Sequence, residues 1–390
     1  LLEKMPQVGI KISITGKGRC NLTSGEDMDR FIEAFGPNGR FLRNAFARFF
    51  SNDLIDFFES IGIKTTLERG MRIFPLSGSA KDVVKAMAMY LNKQGVKTIV
   101  NTTTKEILVK DNKVVGVDTD KGIFHGDAVI LATGGASYPE TGSTGDGYDM
   151  AEKLGHAIIP IRPALVPLEV KEAYVKELQG LALNHVTASV CLDGEKIAVC
   201  LDGEKIAEAF GEMLFTHFGL SGPIILTLSK TVVDSLSKGK VEISLDLKPA
   251  LTKEKLDLRF LREIKEHSNK NFDNLLENLL PQSMIPVFVK LAGIPHDKKV
   301  HQITQKERME LIALLKDMRF TITKSRPLKE AIVTAGGVST KEIDPKTMES
   351  KIIKDLYICG EVIDVDAKTG GYNLQAAFST GWVAGTMAAK

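Results

Sequence analysis

From Asp29 to Gly62 the apolar residues fall three and four positions apart, in "FLRNAFARFF" and then "SNDLIDFFESIG". That spacing predicts helix, with Ser51 or Asn52 as a cap and Gly62 as a stop. "KTTLERGMRIFP" reads as two short strands around a turn, and "SAKDVVKAMAMYLNKQG" as a helix with a Ser cap and a closing Gly. "VKTIVNTTTKEILVKDNKVVGVDTDKGIFHGDAVILATGG" reads as a strand series, with hairpin turns at "KDNK" and "TDKG". It ends in a buried apolar strand that runs onto glycines. This order predicts an α/β nucleotide-binding layer with an antiparallel excursion.

After Gly155 the pattern changes. The prolines of "IIPIRPALVPLEV" predict a rigid extended linker. Strand-like segments follow to about Leu247, and residues 251–318 are mostly helical. "RFTITKS", "EAIVTAGGVS" and "LYICGE" return to strand, and "NLQAAFSTGWVAGTMAAK" is a helix of small residues. The predicted organisation is a discontinuous first domain, 1–157 with 319–390, carrying a β-rich insert at 158–250 and a helical insert at 251–318. Within the β-rich part, "VCLDGEKIA" at 190–198 recurs unchanged at 199–207. A period of nine is too short for a solenoid, so it reads as a duplicated surface hairpin.

Composition narrows this only a little. The chain has 390 residues, enough for two or three domains. Its net charge of +2 neither demands nor excludes a nucleic-acid partner. Cys20, Cys191, Cys200 and Cys359 fit neither a zinc site nor a disulfide framework, which points to a reducing, cytoplasmic compartment. No apolar run approaches the ~18 residues of a membrane span.

Three glycine-rich stretches carry candidate chemistry. In "SITGKGRCNLT", Gly16 and Gly18 flank Lys17 ahead of Arg19, Cys20 and Asn21. Small residues let backbone amides approach an anion, although a simple basic turn explains the pattern equally well. In "ATGGASYPETGSTGDGYDM", Thr133, Gly134 and Gly135 end the buried strand, and a second glycine loop leads into a helix that Asp146 is placed to cap. Strand ends before helix starts are where α/β sheets hold phosphates and cofactors. In "LYICGEVIDVDAKTGGYNLQ", a strand delivers Gly360 and Glu361, and Gly370-Gly371 open a helix. Asp364 and Asp366 lie between, but no His is close and the spacing is not that of an EF-hand, so no metal is predicted. Ser221 stands in G-L-S-G rather than G-x-S-x-G, which argues against a hydrolase nucleophile. His217 lies among aromatics and glycines in "LFTHFGLSGP", where a structural role is the plainer reading.

Taken together, "GKGRCNLT", "LATGGASYPETGSTGDGY", "LGHAIIPIRPALVPL", "MLFTHFGLSGP", "TAGGVSTKEIDPKTMESK" and "LYICGEVIDVDAKTGGYNLQAAFSTGWVAG" resemble the BaiN/RdsA-type (YhiN-like) NAD(P)/FAD-dependent oxidoreductases. The resemblance implies a Rossmann-like flavoprotein fold of the two-dinucleotide-binding-domain type with bound FAD. It makes "LLEK" the end of a second strand, with Glu3 on the adenosine ribose and a G-x-G-x-x-G expected about thirty residues upstream. Carried over by position, Gly16, Gly18, Arg19, Cys20 and Asn21 lie along the pyrophosphate and ribityl chain. Thr104 offers backbone to adenine, and Thr133, Gly134 and Gly135 adjoin the dinucleotide. Gly360, Glu361, Thr369, Gly370, Gly371, Tyr372, Asn373, Leu374 and Gln375 embrace the ribityl and flavin ring. The insert is expected to cap the flavin.

The activity implied is hydride transfer from reduced flavin to a C=C bond conjugated to a carbonyl, with NADH or NADPH as electron source. One branch of the family implies a small enone substrate of the 3-oxo-Δ4,6 bile-acid or steroid type. The other implies dihydrouridine formation in large-subunit ribosomal RNA. The developing enolate needs hydrogen-bond donors, and Tyr138, His217 and Tyr372 are the candidates. A third reading, a flavin-less binding module, applies if the chain natively starts at Leu1. Oligomeric state stays open.

Overall fold

The computed structural model describes residues 1–193 and 208–390, together with the strand backbones Glu195–Lys196, Cys200–Leu201 and Glu204–Lys205. The nine-residue repeat lies largely outside the described residues. What is described is that each copy closes the same short pairing, Cys191 with Lys196 in the first and Cys200 with Lys205 in the second. The chain divides into two units, Leu1–Ala164 with Pro327–Lys390, and Leu165–Arg326.

The first unit contains the α/β layer. Val129–Leu131 and Leu356–Ile358 pair in parallel, and Leu2 makes a parallel bridge to Ile99. A three-stranded meander, Thr104–Lys110, Lys113–Thr119 and Gly122–His125, forms the antiparallel excursion. The hairpin of Thr65–Glu68 and Arg72–Pro75 gains Thr23–Ser24 as a third strand. Helix Ala80–Lys93 begins as its sequence predicts, with Ser79 Oγ accepting the Asp82 N–H. The final helix, Tyr372–Ala388, buries Ala376, Ser379, Thr380, Val383 and Ala384. These small side chains bring it close to its neighbours: Ser379 Oγ donates to Phe49 O at 2.6 Å, and Thr380 Oγ1 accepts the Gly360 N–H at 3.0 Å. One apolar core joins Phe31, Phe46, Leu131, Ile358 and Val383, and a smaller one joins Cys20, Leu22, Leu54, Phe58 and Val83.

The second unit is built on a barrel. Val241–Asp246 pairs with both Met318–Ser325 and Ala182–Leu192, which closes the sheet that runs on through Glu208–Phe215, Gly219–Ser221 and Leu168–Val170. Helices Lys253–Glu266 and Gln305–Lys316, capped by Thr252 and Thr304, share one core with the barrel through Phe260, Phe288, Leu311, Phe215 and Phe320. The stretches 165–250 and 251–318, distinguished by their patterns, thus contribute to a single core.

Three local expectations are corrected. The proline-rich 158–164 is a strand, not a linker: Ile158–Ala164 pairs antiparallel with Val333–Val338 in a two-stranded sheet, where an edge position tolerates proline. It belongs to the first unit. Pro223–Ser235 is a helix within the region read as strands; its β-branched residues Ile224, Ile225 and Val232 are buried by packing that overrides their local preference. Neither Ser51 nor Asn52 caps the helix Ser51–Ser60; Phe50 stands at the cap, its N–H bonded to Asp53 Oδ2 at 2.8 Å. Ile10–Gly18 is a kinked helix, and Gly16, Lys17 and Gly18 at its end are left-handed, as a basic turn at "GKGR" requires.

Candidate active site

A cavity of about 720 Å³ opens in the first unit between residues 1–4, 9–12, 128–134 and 141–144. Both parallel pairings of the layer border it, through Leu2 and through Val129–Leu131. Glu3, Thr104, Thr133 and Gly134, four of the expected cofactor contacts, line it together. The Glu3 carboxylate accepts the Met5 N–H at 2.9 Å, which fixes its orientation and leaves lone pairs over. Past the strand end, helix Asp146–Lys153 packs so closely that a Cβ on Gly147 would overlap Thr133 Oγ1. Gly145 stands at the cap of that helix and Asp146 is its first residue. Burial alone would raise the Asp146 pKa, but Lys4 and Thr144 outweigh it and hold the carboxyl below its ordinary range.

Lys4 and Lys11 are binding candidates that the sequence did not single out. Lys4 Nζ donates to Thr144 Oγ1 at 2.5 Å and Asp146 Oδ2 at 2.6 Å. Lys11 Nζ donates to Ser137 Oγ at 2.9 Å and Glu361 Oε2 at 2.7 Å. Glu361 Oε1 in turn accepts the Thr334 N–H at 2.9 Å. Glu361 is therefore tied to the Gly134–Tyr138 segment through Ser137 rather than standing alone at a strand end. All four partners lie 126 to 350 residues from the lysines, so no local motif reveals them.

A second group assembles where the final helix begins. Gly371, at φ 97°, sits against the Thr23 backbone, where any Cβ would overlap it. No side chain caps the helix, and its first backbone bond runs from Gln375 N–H to Gly371 O at 3.1 Å. The amides of Tyr372, Asn373 and Leu374 thus precede the ladder. Two buried acceptors, Asn21 Oδ1 and Gln375 Oε1, have no hydrogen-bond partner among the described residues.

Other expected contacts are turned elsewhere. The Arg19 guanidinium pairs with Glu68 and lies 4.3 Å from the Phe74 ring centroid. The Cys20 thiol is buried in the smaller core, and burial pushes its pKa up to about 11. The Arg19 and Cys20 amides donate to the carbonyls of Gly16 and Thr15, so this loop is largely self-satisfied. Asn373 ties down its own loop through Ala367, with both bonds at 2.9 Å, and Leu374 packs on the smaller core. Gln375 Nε2 donates to Ser379 Oγ at 2.9 Å. Gly360 is bound through its N–H to Thr380, Gly135 packs against Thr334 and Glu361, and Thr369 and Gly370 lead into the helix.

The three candidate donors differ in setting. Tyr372 is in the aromatic core, edge-on to Phe31 at 4.7 Å, with its hydroxyl bonded to Ser24; burial raises its pKa. His217 is exposed in the second unit, edge-on to Phe218 at 4.9 Å. Tyr138 is half-buried in the left-handed region at φ 53°, next to Ser137. Burial first, then Glu140 and Glu330, push its pKa up, so it stays a protonated donor.

FAD is the cofactor that the sequence resemblance implies, and these groups fit it. The cavity offers two carboxylates and two ammonium groups, and the final helix offers uncapped amides and the unpartnered Gln375 Oε1. Among the described residues no helix is long and apolar enough to cross a membrane.

Known proteins match this chain from end to end. The model of the HI0933-like protein Rossmann domain matches residues 1–387. The 3-dehydro-bile acid delta(4,6)-reductase of Clostridium scindens is 33% identical over 100% of this chain and 92% of its own length. Ribosomal RNA dihydrouridine synthases of Escherichia coli and Haemophilus influenzae are 30% and 29% identical, over 98% and 96% of this chain and 90% and 88% of their own lengths. The chain belongs to the HI0933-like family and has its Rossmann-like fold.

Proposed function

We propose that this protein is an FAD-dependent oxidoreductase that reduces a C=C bond conjugated to a carbonyl, with a small enone of the 3-oxo-Δ4,6 bile-acid or steroid type as substrate and NADH or NADPH as electron donor. The observation that carries this reading is the likeness to the bile acid reductase, which spans the whole chain. Bound FAD supplies the hydride for the β-carbon of the enone. The chain's residues hold the cofactor and manage charge and protons on the substrate. Glu3, Lys4, Lys11 and the amides at Tyr372–Leu374 bind and orient. As charge develops on the carbonyl oxygen, the protonated Tyr138 phenol donates a hydrogen bond to it, and the α-carbon takes its proton from solvent, so that hydride and proton together saturate the bond.

A second reading rests on the two ribosomal RNA dihydrouridine synthases. The uracil 5,6 double bond is conjugated to the 4-carbonyl, so the same step applies to a different carrier. The test offers the FAD-loaded protein and NAD(P)H a 3-oxo-Δ4,6 steroid and, separately, ribosomal RNA from a strain lacking the gene. Loss of the enone coupled to nicotinamide oxidation supports the first reading. Dihydrouridine formation with an untouched enone replaces it by the second.

A further inference from the structure

Two lysines border the cavity, and each is held in the same way. Lys4 is tethered by a hydroxyl and a carboxylate, Thr144 and Asp146; Lys11 is tethered by Ser137 and Glu361. The Lys4 and Lys11 side chains are 26% and 23% exposed, and those of their partners Asp146 and Glu361 are 38% and 20% exposed. An ammonium has three N–H donors. Among the described residues each lysine has two partners, so each has one donor left, and both residues line the cavity.

A surface lysine searches many rotamers, and a ligand that orders it loses that freedom on binding. Here the tethers already hold both side chains. The remaining charged groups on the cavity wall are Glu3, Asp146 and the titratable His125. Among the lining residues Lys4 and Lys11 are thus the permanent cations. A dinucleotide presents two phosphate charges.

We infer that Lys4 and Lys11 form a pre-organised cation pair that recognises the pyrophosphate of the bound dinucleotide, and that Thr144–Asp146 and Ser137–Glu361 are the positioning groups that aim it. This assignment rests on the FAD reading above, and it gives Glu361 a second role as the anchor of Lys11.

The experiment titrates the full chain and its K4M and K11M variants with FAD and with riboflavin, and measures the rise in melting temperature caused by inorganic pyrophosphate. Loss of one charge-assisted bond to phosphate is expected to raise the Kd for FAD about tenfold or more per variant. Riboflavin, which has no phosphate, is expected to change less than about twofold, since the same bond is absent from it. Pyrophosphate is expected to stabilise the wild type and not the double variant. K4R and K11R keep the charge and are expected to retain most of the FAD affinity, which separates loss of charge from loss of fold. Equal FAD affinity in wild type and variants, equal weakening of FAD and riboflavin, or undiminished pyrophosphate protection in the double variant would overturn the assignment. A wild type that binds no flavin, yet loses pyrophosphate protection when the lysines are replaced, would remove the FAD reading and leave the lysine pair standing.

Discussion

His156 Nε2 lies 2.9 Å from Ser350 Oγ, while His156 Nδ1 lies 3.4 Å from Glu342 Oε2. The constellation has the outline of a nucleophile, a base and an acid, yet its hydrogen bonds assign it otherwise. Ser350 Oγ already accepts the N–H groups of Ile352 at 3.0 Å and Ile353 at 2.9 Å. Both lone pairs are occupied, so the hydroxyl proton points to Nε2 and His156 is neutral with its proton on Nδ1. That Glu342 oxygen accepts the Ala157 N–H at 2.8 Å, and His156 Nδ1 makes no hydrogen bond among the described residues. His156 and Ser350 therefore tie the 340–353 segment to the 156–157 turn. Ser350→Ala leaves buried groups unpaired and is expected to cost about 1–3 kcal/mol of stability, measured by urea unfolding, with no fall in FAD affinity. Loss of affinity at full stability would place Ser350 in the site instead.

The same histidine predicts a pH dependence. Burial lowers its pKa in the folded state, with Glu342 opposing. The unfolded chain, with an ordinary value of about 6.5, takes up the proton first as the pH falls. The stabilisation is therefore complete above about pH 6.5 and is lost as the pH drops from there towards the lower folded-state value. Wild-type stability is expected to decline across that window more steeply than that of His156→Gln. Parallel profiles would show that another group governs the decline.

Gly147 and Thr133 set how closely the helix start approaches the strand end. Gly147→Ala places a methyl into Thr133 Oγ1 and 3.1 Å from Val362 Cγ2. The expected cost is about 1–3 kcal/mol. Thr133→Ala removes the nearest clashing atom, so the double variant is expected to be more stable than the sum of the single changes predicts. Simple additivity would mean the helix shifts instead of clashing.

Gly371→Ala has no such relief, because the obstacle is the Thr23 backbone and the residue stands at φ 97°. An expected loss of about 2–4 kcal/mol combines overpacking with left-handed strain. FAD affinity is expected to fall with it, since the uncapped amides follow directly. Both are read from a thermal melt with and without cofactor; a neutral variant would contradict the close approach.

Cys20 and Cys359 are buried thiols whose pKa values burial raises to about 11 and about 12. At pH 8 fewer than about one Cys20 thiol in a thousand is ionised, given that shift from the ordinary value. Peptide mapping after iodoacetamide treatment is expected to find both unmodified in the native protein and both modified in guanidinium. Rapid native labelling of Cys20 would indicate a reactive, cofactor-facing thiol.

The sequence was most legible where local chemistry decides. Ser79 caps its helix and the 111–112 and 120–121 turns close hairpins, because each is set by neighbours in the chain. The misread segments are those decided by distant partners. Ile158–Ala164 becomes a strand only because Val333–Val338 lies beside it. Pro223–Ser235 is helical because its apolar residues meet a core that local propensity does not see. Arg19 and Cys20 occupy an apparent anion loop, but Phe74 and the smaller core take their side chains. Lys4 and Lys11 have no local signature, since the groups that hold them are brought in by the fold.

The most direct test of the central claim is an anaerobic single turnover. The protein is loaded with FAD, reduced, freed of excess reductant and mixed with a 3-oxo-Δ4,6 steroid, while the visible flavin bands are followed. The account predicts return of the oxidised bands with loss of one C=C bond per flavin, and a slower return for Tyr138→Phe at unchanged FAD affinity. Failure of the protein to take up FAD, or a reduced flavin that persists in the presence of both the enone and unmodified ribosomal RNA, would contradict it.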